Sequence, residues 1–227
     1  MKKNPPEFVR VYFDWLKQAK GITADDPIYI GVFAHAANGG VRINPDASTG
    51  VPGLFAAGEV TGGMHGADRI GGLSTANGLV FGTVAGRTAA EFAAKAELSA
   101  AERCEYIPMS APGCEAALKK LQQTMFRNAM ILRSEQGLSE SLSLVQSLRS
   151  SVAAQLRPDE NFDEVAETQR FLARCTTAES VLRSALLRKE SRGSHNRVDY
   201  PQQDPKLEKQ IIVEMRDGEI RAEYLGK

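Results

Sequence analysis

The sequence predicts an α/β region followed by an all-helical region that ends in a β-hairpin. Three observations predict this fold class. Most of the 20 glycines lie before residue 97, among short apolar runs typical of buried strands. From residue 97 onward, leucines and valines recur every three or four positions, the spacing of amphipathic helices. Near the C-terminus, two strand-like runs flank Asp217-Gly218, which favours a hairpin over about residues 207–225.

Composition narrows the class of protein before any motif is considered. The chain has 227 residues, and its 28 Lys and Arg balance 28 Asp and Glu, which disfavours a general nucleic-acid partner. It contains no run of 18 apolar residues and no secretory signal, so we expect no membrane span. Three cysteines without a CxxC pair fit a reducing cytoplasm and predict neither a disulfide framework nor a metal site.

The first half alternates between short strands, turns and helices. The N-terminal helix is predicted from apolar residues at helical spacing and ends at Gly21. The strand predictions rest on short apolar or alternating runs beside Pro and Gly turns. The predicted elements are a helix over 7–20, strands over 28–30, 41–43 and 54–57, a glycine-rich loop over 58–72, and a helix over about 74–96.

The second half is a helical module. Three apolar stripes predict three helices, and residues 157–163 form a connector between the second and the third. The stripes comprise Ala117, Leu118, Leu121 and Met125; Leu138, Leu142, Val145, Leu148, Val152 and Leu156; and Val165, Phe171, Leu172, Val181, Leu182, Ala185 and Leu186.

The loop over 58–72 is the first candidate for chemistry. A strand that ends in a glycine-rich loop and opens a helix allows a ligand to approach the backbone, and the helix start offers free N–H groups. Glu59 directly follows the predicted strand, where an acid can accept hydrogen bonds from ribose hydroxyls. From the glycines alone two interpretations stay open: a ligand-binding loop, or a tight turn with a solvated glutamate.

Four segments, in the same order as in the family, resemble one family. Residues 52–72, PGLFAAGEVTGGMHGADRIGG, closely resemble the FAD-closing segment of the succinate dehydrogenase and fumarate reductase flavoproteins, whose relatives include L-aspartate oxidases and soluble flavocytochrome-type fumarate reductases. His35 with Gly39-Gly40 is similar to the family's HYTMGG segment, and residues 190–201, ESRGSHNRVDYP, to its ESRGxHxRxDxP segment. Residues 125–138 resemble a fourth stretch, MWxNxxxxRxxxGL.

This resemblance implies a fold, an activity and a set of domains. The chain would be the C-terminal piece of a split FAD-binding Rossmann-like domain followed by a helical-bundle domain. Residues 1–31 would end a capping domain, 32–96 would close the FAD-binding domain, and 97–227 would form the helical domain with its terminal hairpin. The activity implied is hydride transfer between flavin and a small carboxylic or dicarboxylic acid.

The resemblance also implies site residues. His35 and Arg69 would bind the substrate carboxylates, while Glu59, Ser74 and Thr75 would bind FAD. Without the resemblance, His35 is more typical of a hydrogen-bonded loop histidine, and Arg69 of a surface arginine. His65 is expected to brace the loop. We expect three residues of the 190–201 segment to have a structural role and to tie the helical domain to the flavin domain. They are the positively charged or donor residues Arg192, His195 and Arg197.

The sequence departs from the family pattern within the predicted site. The family asparagine before the Ser is Leu73 here, and the leucine two positions further on is Thr75. Asp68 replaces an asparagine, which puts a negative charge beside Arg69, and residues 36–38 replace the family's Tyr-Thr-Met. FAD binding stays compatible with these changes, whereas the substrate is left open: another acid, or another acceptor altogether, fits as well.

The family's N-terminal GxGxxG motif has no counterpart in this sequence. The resemblance therefore implies that the chain is incompetent alone, lacking the catalytic Arg of the capping domain, and acts with an upstream FAD-binding half or a partner subunit. An iron–sulfur or other electron-transfer subunit is a further expected partner. The alternative is a non-catalytic assembly or binding module derived from the family. Either way, we expect an exposed apolar face along 54–57 and 79–92 that favours self-association.

Overall fold

The computed structural model describes residues 5–31, 35–36, 38–97 and 106–226. These residues form two compact units, one up to His35 and one from Ala36 onward. The first unit contains helix α1, Glu7–Lys20, which matches the predicted helix and ends where Gly21 takes a left-handed conformation at φ 69°. One face of α1 is exposed and apolar, because Phe8, Val11, Tyr12 and Trp15 recur at helical spacing.

The strand predicted over 28–30 is wrong. Residues 28–30 belong to no strand, and the side chains of Tyr29 and Ile30 are 95% and 88% exposed. The apolar run is real, but a strand forms only where another strand accepts its backbone hydrogen bonds, and none of the described residues does so here.

The second unit begins with a parallel pair of short strands. Strand β1, Val41–Arg42, lies beside β2, Thr61–Gly62, and a 3₁₀ turn over Gly58–Val60 leads into β2. The backbones approach so closely that a Cβ atom at Gly40 would overlap the carbonyl oxygen of Val60. This pair confirms most of the strand predicted over 41–43.

The strand predicted over 54–57 is reduced to a single bridge between Ser48 and Phe55. Between β1 and the 3₁₀ turn, the chain instead folds back on itself. Ala47 is fully buried at the centre of this loop, where its carbonyl oxygen accepts the Ala56 N–H at 3.1 Å. Local turns therefore satisfy the backbone groups that the prediction assigned to a sheet.

Helix α2, Leu73–Ala93, starts one residue before its predicted position. Along the helix only Asn77 is buried. Leu79 and Val80 are 69% and 59% exposed, and no described residue lies within 4 Å of the Cβ positions of the helix glycines, Gly78, Gly82 and Gly86. Leu54 and Phe92 are also exposed, so these side chains form the expected apolar face. Phe55, Ala56 and Ala57, which were expected to belong to the same face, are half-buried.

The remaining helices form a bundle as the three stripes predict. These are α3, Cys114–Ala129; α4, Glu135–Ala153; and α5, Phe162–Leu187. Ser134 caps α4 by accepting the Gly137 N–H, and a two-stranded pair, β3 (Met109–Ser110) with β4 (Arg157–Pro158), closes one end. The buried core comprises Ala111, Ala117, Leu121, Ala129, Leu138, Val145, Val152, Phe171, Cys175, Ala178, Leu182 and Ala185.

The predicted hairpin is confirmed. Strands β5, Ile211–Arg216, and β6, Glu219–Tyr224, pair antiparallel around Asp217 and Gly218, whose φ values of 53° and 79° are those of a type I′ turn. Ile220 is buried, and the Tyr224 hydroxyl donates to the Leu187 carbonyl of α5. In the described part of the chain, no helix is long and apolar enough to cross a membrane.

Candidate functional site

Glu59 lies in the 3₁₀ turn that leads into β2, and its side chain is exposed. Two contacts hold this turn. The Thr61 hydroxyl donates to the Gly58 carbonyl at 2.6 Å, and the Asn77 amide of α2 donates to the same oxygen at 3.4 Å. Glu59 is therefore fixed relative to the start of α2.

Asn77 is a site residue that sequence reasoning missed. Its Nδ2 lies 3.3 Å from Nε2 of His65, so one buried amide joins the 3₁₀ turn, the glycine-rich loop and α2. This contact is the bracing role expected of His65. The Oδ1 atom of Asn77 is buried and has no hydrogen-bond partner among the described residues. The only signal in the sequence was an amide within a helix of small and apolar residues.

Within the described ranges, no side chain caps the start of helix α2. Its N-cap is Gly72 at φ 88°, and Thr75 N–H turns back to the Gly72 carbonyl at 3.2 Å. Ser74 is half-buried and Thr75 is exposed in this first turn. An uncapped helix start carries partial positive charge on its free N–H groups, so it favours an anionic or electron-rich ligand.

Arg69 is half-buried in the loop that precedes α2. Its neighbour Asp68 does not neutralise it. Asp68 Oδ1 instead accepts the Arg69 backbone N–H at 2.9 Å and the Asn38 side-chain amide at 3.0 Å. Among the described residues the Arg69 guanidinium has no carboxylate within ion-pair distance, which leaves it able to bind an external one.

His35 is exposed and is the last residue of the first unit. The other four predicted site residues, Glu59, Arg69, Ser74 and Thr75, belong to the second unit, along the loop and the first turn of α2.

The 190–201 segment is held by buried charges. Glu190 is fully buried and accepts hydrogen bonds from Arg188, Arg192 and the Asp204 N–H. Burial would raise the pKa of Glu190, but the hydrogen bonds from Arg192, Asp204 and Arg188 outweigh it and lower the pKa to about 2. Glu190 is therefore an ionised anchor for this segment at neutral pH.

Arg197 is a second anchor. Its fully buried guanidinium donates to both carboxylate oxygens of Asp199 and to Glu135 at the start of α4, each at 2.8 Å. These hydrogen bonds, with Arg197 as the main cause, hold the pKa of Asp199 well below its usual range.

His195 completes this cluster. Its ring nitrogens contact Arg133 Nη1 at 2.7 Å and the Arg188 carbonyl at 3.1 Å. Burial, together with the nearby arginines, lowers the pKa of His195 to about 4. The ring is therefore neutral at pH 7.

Among the residues that the structure describes, the side chains of Arg192, His195 and Arg197 make no hydrogen bond that ties the helical region to the loop region. Each of their side chains bonds within the helical region. Neighbouring residues make the connection: Ser194 Oγ accepts from Asn38, and Gln210 donates to the Gly63 carbonyl, both at 3.0 Å. Charged residues stabilise the 190–201 segment, because buried charges must be paired. Small or neutral residues make the contacts to the glycine-rich loop.

Comparison with known proteins decides the family. Residues 118–225 match the family model for the fumarate reductase flavoprotein C-terminus, and residues 11–75 match that for the FAD binding domain. This chain belongs to the succinate dehydrogenase and fumarate reductase flavoprotein family. The family expected from these four segments is thereby confirmed, and FAD is the cofactor of that family.

Individual relatives agree with this assignment. The chain is 33% identical over 216 residues to one subunit of the CoM/CoB fumarate reductase of Methanothermobacter marburgensis, covering 89% of this chain and 38% of the relative. It is 36% identical over 208 residues to L-aspartate oxidase of Mycobacterium leprae, covering 89% and 36%. The chain thus spans less than two fifths of the length of these curated relatives.

Solved structures share the fold. A variant of E. coli quinol fumarate reductase FrdA superposes with a TM-score of 0.79 at 26% identity, covering 94% of this chain and 40% of that one. Sdh1 of Mycobacterium smegmatis in complex with UQ1 gives 0.76 at 28% identity, covering 96% and 40%. The expected fold class, a piece of an FAD-binding domain followed by a helical domain and a hairpin, is confirmed.

Proposed function

We propose that this chain forms the C-terminal part of an FAD-dependent oxidoreductase that transfers a hydride between flavin and a small carboxylic or dicarboxylic acid. Its residues fit the cofactor in two respects. Considering only the residues that the structure describes, no side chain caps the start of α2, and a Cβ atom at Gly58, Gly71 or Gly72 would meet nothing within 4 Å, so the loop leaves open space for a ligand. The buried Oδ1 of Asn77, which has no hydrogen-bond partner in the described part of the chain, adds an acceptor near this helix start.

Each cofactor-binding residue has a physical role in this proposal. Glu59, fixed in its turn by Thr61 and Asn77, accepts hydrogen bonds from ribose hydroxyls. Ser74 and Thr75 lie in the first turn of α2, whose positive dipole end would face the pyrimidine end of the flavin and stabilise negative charge there. FAD, when bound, supplies the hydride chemistry.

Arg69 and His35 are proposed to bind the substrate. The guanidinium of Arg69 presents paired donors that match a carboxylate, and it has no competing ion pair among the described residues. Each side chain would orient the acid by binding a carboxylate and would stabilise charge that develops on it. The names of the relatives, a fumarate reductase and an L-aspartate oxidase, favour a small dicarboxylic acid.

Two further parts of the proposal concern partners. Because the sequence lacks GxGxxG, we propose that these 227 residues alone bind FAD weakly and are incompetent alone. An upstream half of the flavin domain, or a partner subunit, would supply the pyrophosphate site, and an iron–sulfur or similar subunit would exchange electrons. Titration of FAD into the purified chain tests this, because submicromolar binding would contradict it. We also propose a cytoplasmic location, with attachment to a membrane only through such a complex.

The observation that carries the proposal concerns Arg69, three residues before the N-cap of α2: among the described residues no carboxylate pairs with it and no side chain caps the helix. The test uses the flavin-loaded protein and measures succinate binding from the change in the flavin absorbance spectrum. Arg69→Met is expected to weaken binding by about 10- to 100-fold, the value of a charge-assisted hydrogen-bonded pair. Arg87→Met, an exposed arginine of α2, is the matched control and should bind normally. Equal binding by both variants would exclude the assigned role of Arg69.

The exposed face of α2 favours a second candidate, a binding or assembly module without flavin chemistry. Leu79 and Val80 project from a helix whose glycines have open space around them. In this candidate the face is covered by another protein surface, as in self-association, and Arg69 binds no acid. Light scattering that shows a dimer, combined with a flavin-free protein after co-expression with an upstream flavin half, would favour the module over the enzyme.

A further inference from the structure

We propose that the C-terminal helical region holds the substrate arginine in position. The loop over 190–199 and Gln210 fix the segment over 63–69 at both of its ends, and Asn38, Ser194 and Gln210 are positioning residues that act through Arg69. This inference rests on the proposed function, because it takes Arg69 as the residue that binds a carboxylate.

The loop over 190–199 has a rigid base. Glu190 and Arg197 are both fully buried, and together they hydrogen-bond to Arg188, Arg192, Asp199 and the start of α4. Removing any member would leave a buried charge unpaired, so the network strongly favours one arrangement. Between these anchors lies the tip of the loop, Gly193-Ser194, which is exposed at the surface of the helical region.

The tip contacts the segment that carries Arg69. A Cβ atom at Gly193 would overlap the carbonyl oxygen of Ala67, so the two backbones touch there. The Asn38 amide donates both to Ser194 Oγ and to Asp68 Oδ1, each at 3.0 Å. The same Oδ1 atom accepts the Arg69 N–H at 2.9 Å. An unbroken series of contacts therefore runs from the rigid base to the Arg69 backbone.

The other end of the segment is held by the residue that precedes β5. Gln210 Nε2 donates to the Gly63 carbonyl at 3.0 Å, and its amide packs 3.3 Å from the Cβ position of Gly63. A short segment with both ends fixed loses most of its conformational freedom before any ligand binds. The arginine is then pre-organised for the carboxylate.

Two departures from the family pattern make sense together in this arrangement. Asn38 and Asp68 each replace a different residue of the family motifs, and in the structure they bond to each other. Asp68 accepts both hydrogen bonds with one side-chain oxygen, and an asparagine would also have that oxygen. Position 68 therefore requires a hydrogen-bond acceptor, and the negative charge is not needed for these two bonds. The amide of Asn38, by contrast, is required as the donor.

Limited trypsin digestion of the 227-residue chain tests the inference without any flavin. Cleavage after Arg69, quantified by mass spectrometry, reports how firmly the segment is held. Asn38→Asp places two carboxylates in contact and should speed cleavage there by about tenfold, the effect of roughly 1.4 kcal/mol. The double variant Asn38→Asp with Asp68→Asn restores a donor–acceptor pair and should return to the wild-type rate.

The matched control is Asn44→Asp, because Asn44 makes the same kind of bond to Ser48 Oγ within its own loop. It should leave cleavage after Arg69 unchanged. Ser194→Ala and Gln210→Ala should each speed cleavage, whereas Ser194→Thr keeps the hydroxyl and should not. A wild-type rate of cleavage after Arg69 in Asn38→Asp would overturn the inference. A rate in the double variant that stays as high as in Asn38→Asp would overturn it as well.

A second measurement links the segment to binding. In the flavin-loaded protein, Asn38→Asp should raise the KM for succinate about tenfold while changing kcat much less, since uniform binding is what is lost. Gly193→Ala should do the same, whereas Gly113→Ala, also at positive φ but with open space around its Cβ position, should not. If the wild-type protein binds no dicarboxylate, the proposed function fails, and the digestion result still decides this inference.

Discussion

Arg197→Met is the change that most severely tests the support of the 190–201 segment. Arg197 is fully buried and donates to Asp199, Glu135 and the Ala185 carbonyl, with each distance 2.8 Å. Methionine fills similar volume but removes every one of these donors. The Ala185 carbonyl is then left without this bond inside the protein, and two carboxylates lose their counter-charge.

The loss of unfolding free energy can be bounded from the solvent exposure of the two carboxylates that pair with Arg197. Removing one partner of a buried ion pair costs about 3–5 kcal/mol. The side chains of Asp199 and Glu135 are 29% and 51% exposed, so water rehydrates both when the arginine is gone. We therefore expect a loss near the lower end, about 3 kcal/mol of unfolding free energy.

Urea unfolding followed by circular dichroism measures this loss. With a slope of about 2 kcal/mol per molar urea, the midpoint should fall by about 1.5 M. Arg170→Met removes a pair with Glu167 whose side chains are 62% and 53% exposed, so it should change stability by less than about 0.5 kcal/mol. A loss below about 1 kcal/mol in Arg197→Met would refute the reasoning, because the buried charges would then not hold the segment.

Three further predictions concern other parts of the molecule. The pKa of His195 in the folded protein, about 4, lies below its value in the unfolded chain, so the unfolded chain binds more protons between pH 6.5 and 4. The free energy of unfolding should therefore fall by up to about 3 kcal/mol as the pH is lowered over this range. Urea titrations at several pH values should show a weaker dependence of the unfolding free energy on pH for His195→Gln. Gly40→Ala should break the β1–β2 pair, because its Cβ atom would overlap the Val60 carbonyl, and should lower the melting temperature by several degrees, whereas Gly39→Ala, with nothing within 4 Å, should cost less. Burial raises the pKa of Cys175 to about 11, so iodoacetamide at pH 8 should label Cys114 while leaving Cys175 unmodified in the folded protein.

Each of these three predictions has a contradicting result. An unchanged pH slope in His195→Gln would mean that another group titrates. Equal melting temperatures for Gly40→Ala and Gly39→Ala would mean that the close approach of β1 and β2 does not limit stability. Rapid labelling of Cys175 before unfolding would mean that the bundle core opens.

Local patterns allowed the helices and the hairpin to be predicted. The stripe of α4 depends only on spacing along one helix, and the turn at Asp217 and Gly218 requires residues that tolerate positive φ. The strands predicted over 28–30 and 54–57 failed because a strand depends on a partner that the apolar run does not specify.

The candidate site was predictable only in part, for a similar reason. The motif resemblance predicts Arg69 and Glu59 as site residues, but the contacts that we infer to position Arg69 join residues distant in sequence. Ser194 lies 156 positions from Asn38, and Gln210 lies 147 positions from Gly63. Single polar residues on loops carry no periodicity, so their pairing emerges only from the folded chain.

Reoxidation of the reduced flavin by fumarate tests the central claim most directly. The flavin-loaded protein is reduced without oxygen, mixed with fumarate, and followed through the return of the visible absorbance of oxidised flavin. We expect rapid return in the wild-type protein and a rate about 100-fold lower in Arg69→Met at the same subsaturating fumarate concentration, with Arg87→Met unaffected. Equal rates in wild type and Arg69→Met, or no return with any C4 dicarboxylate, would contradict the account.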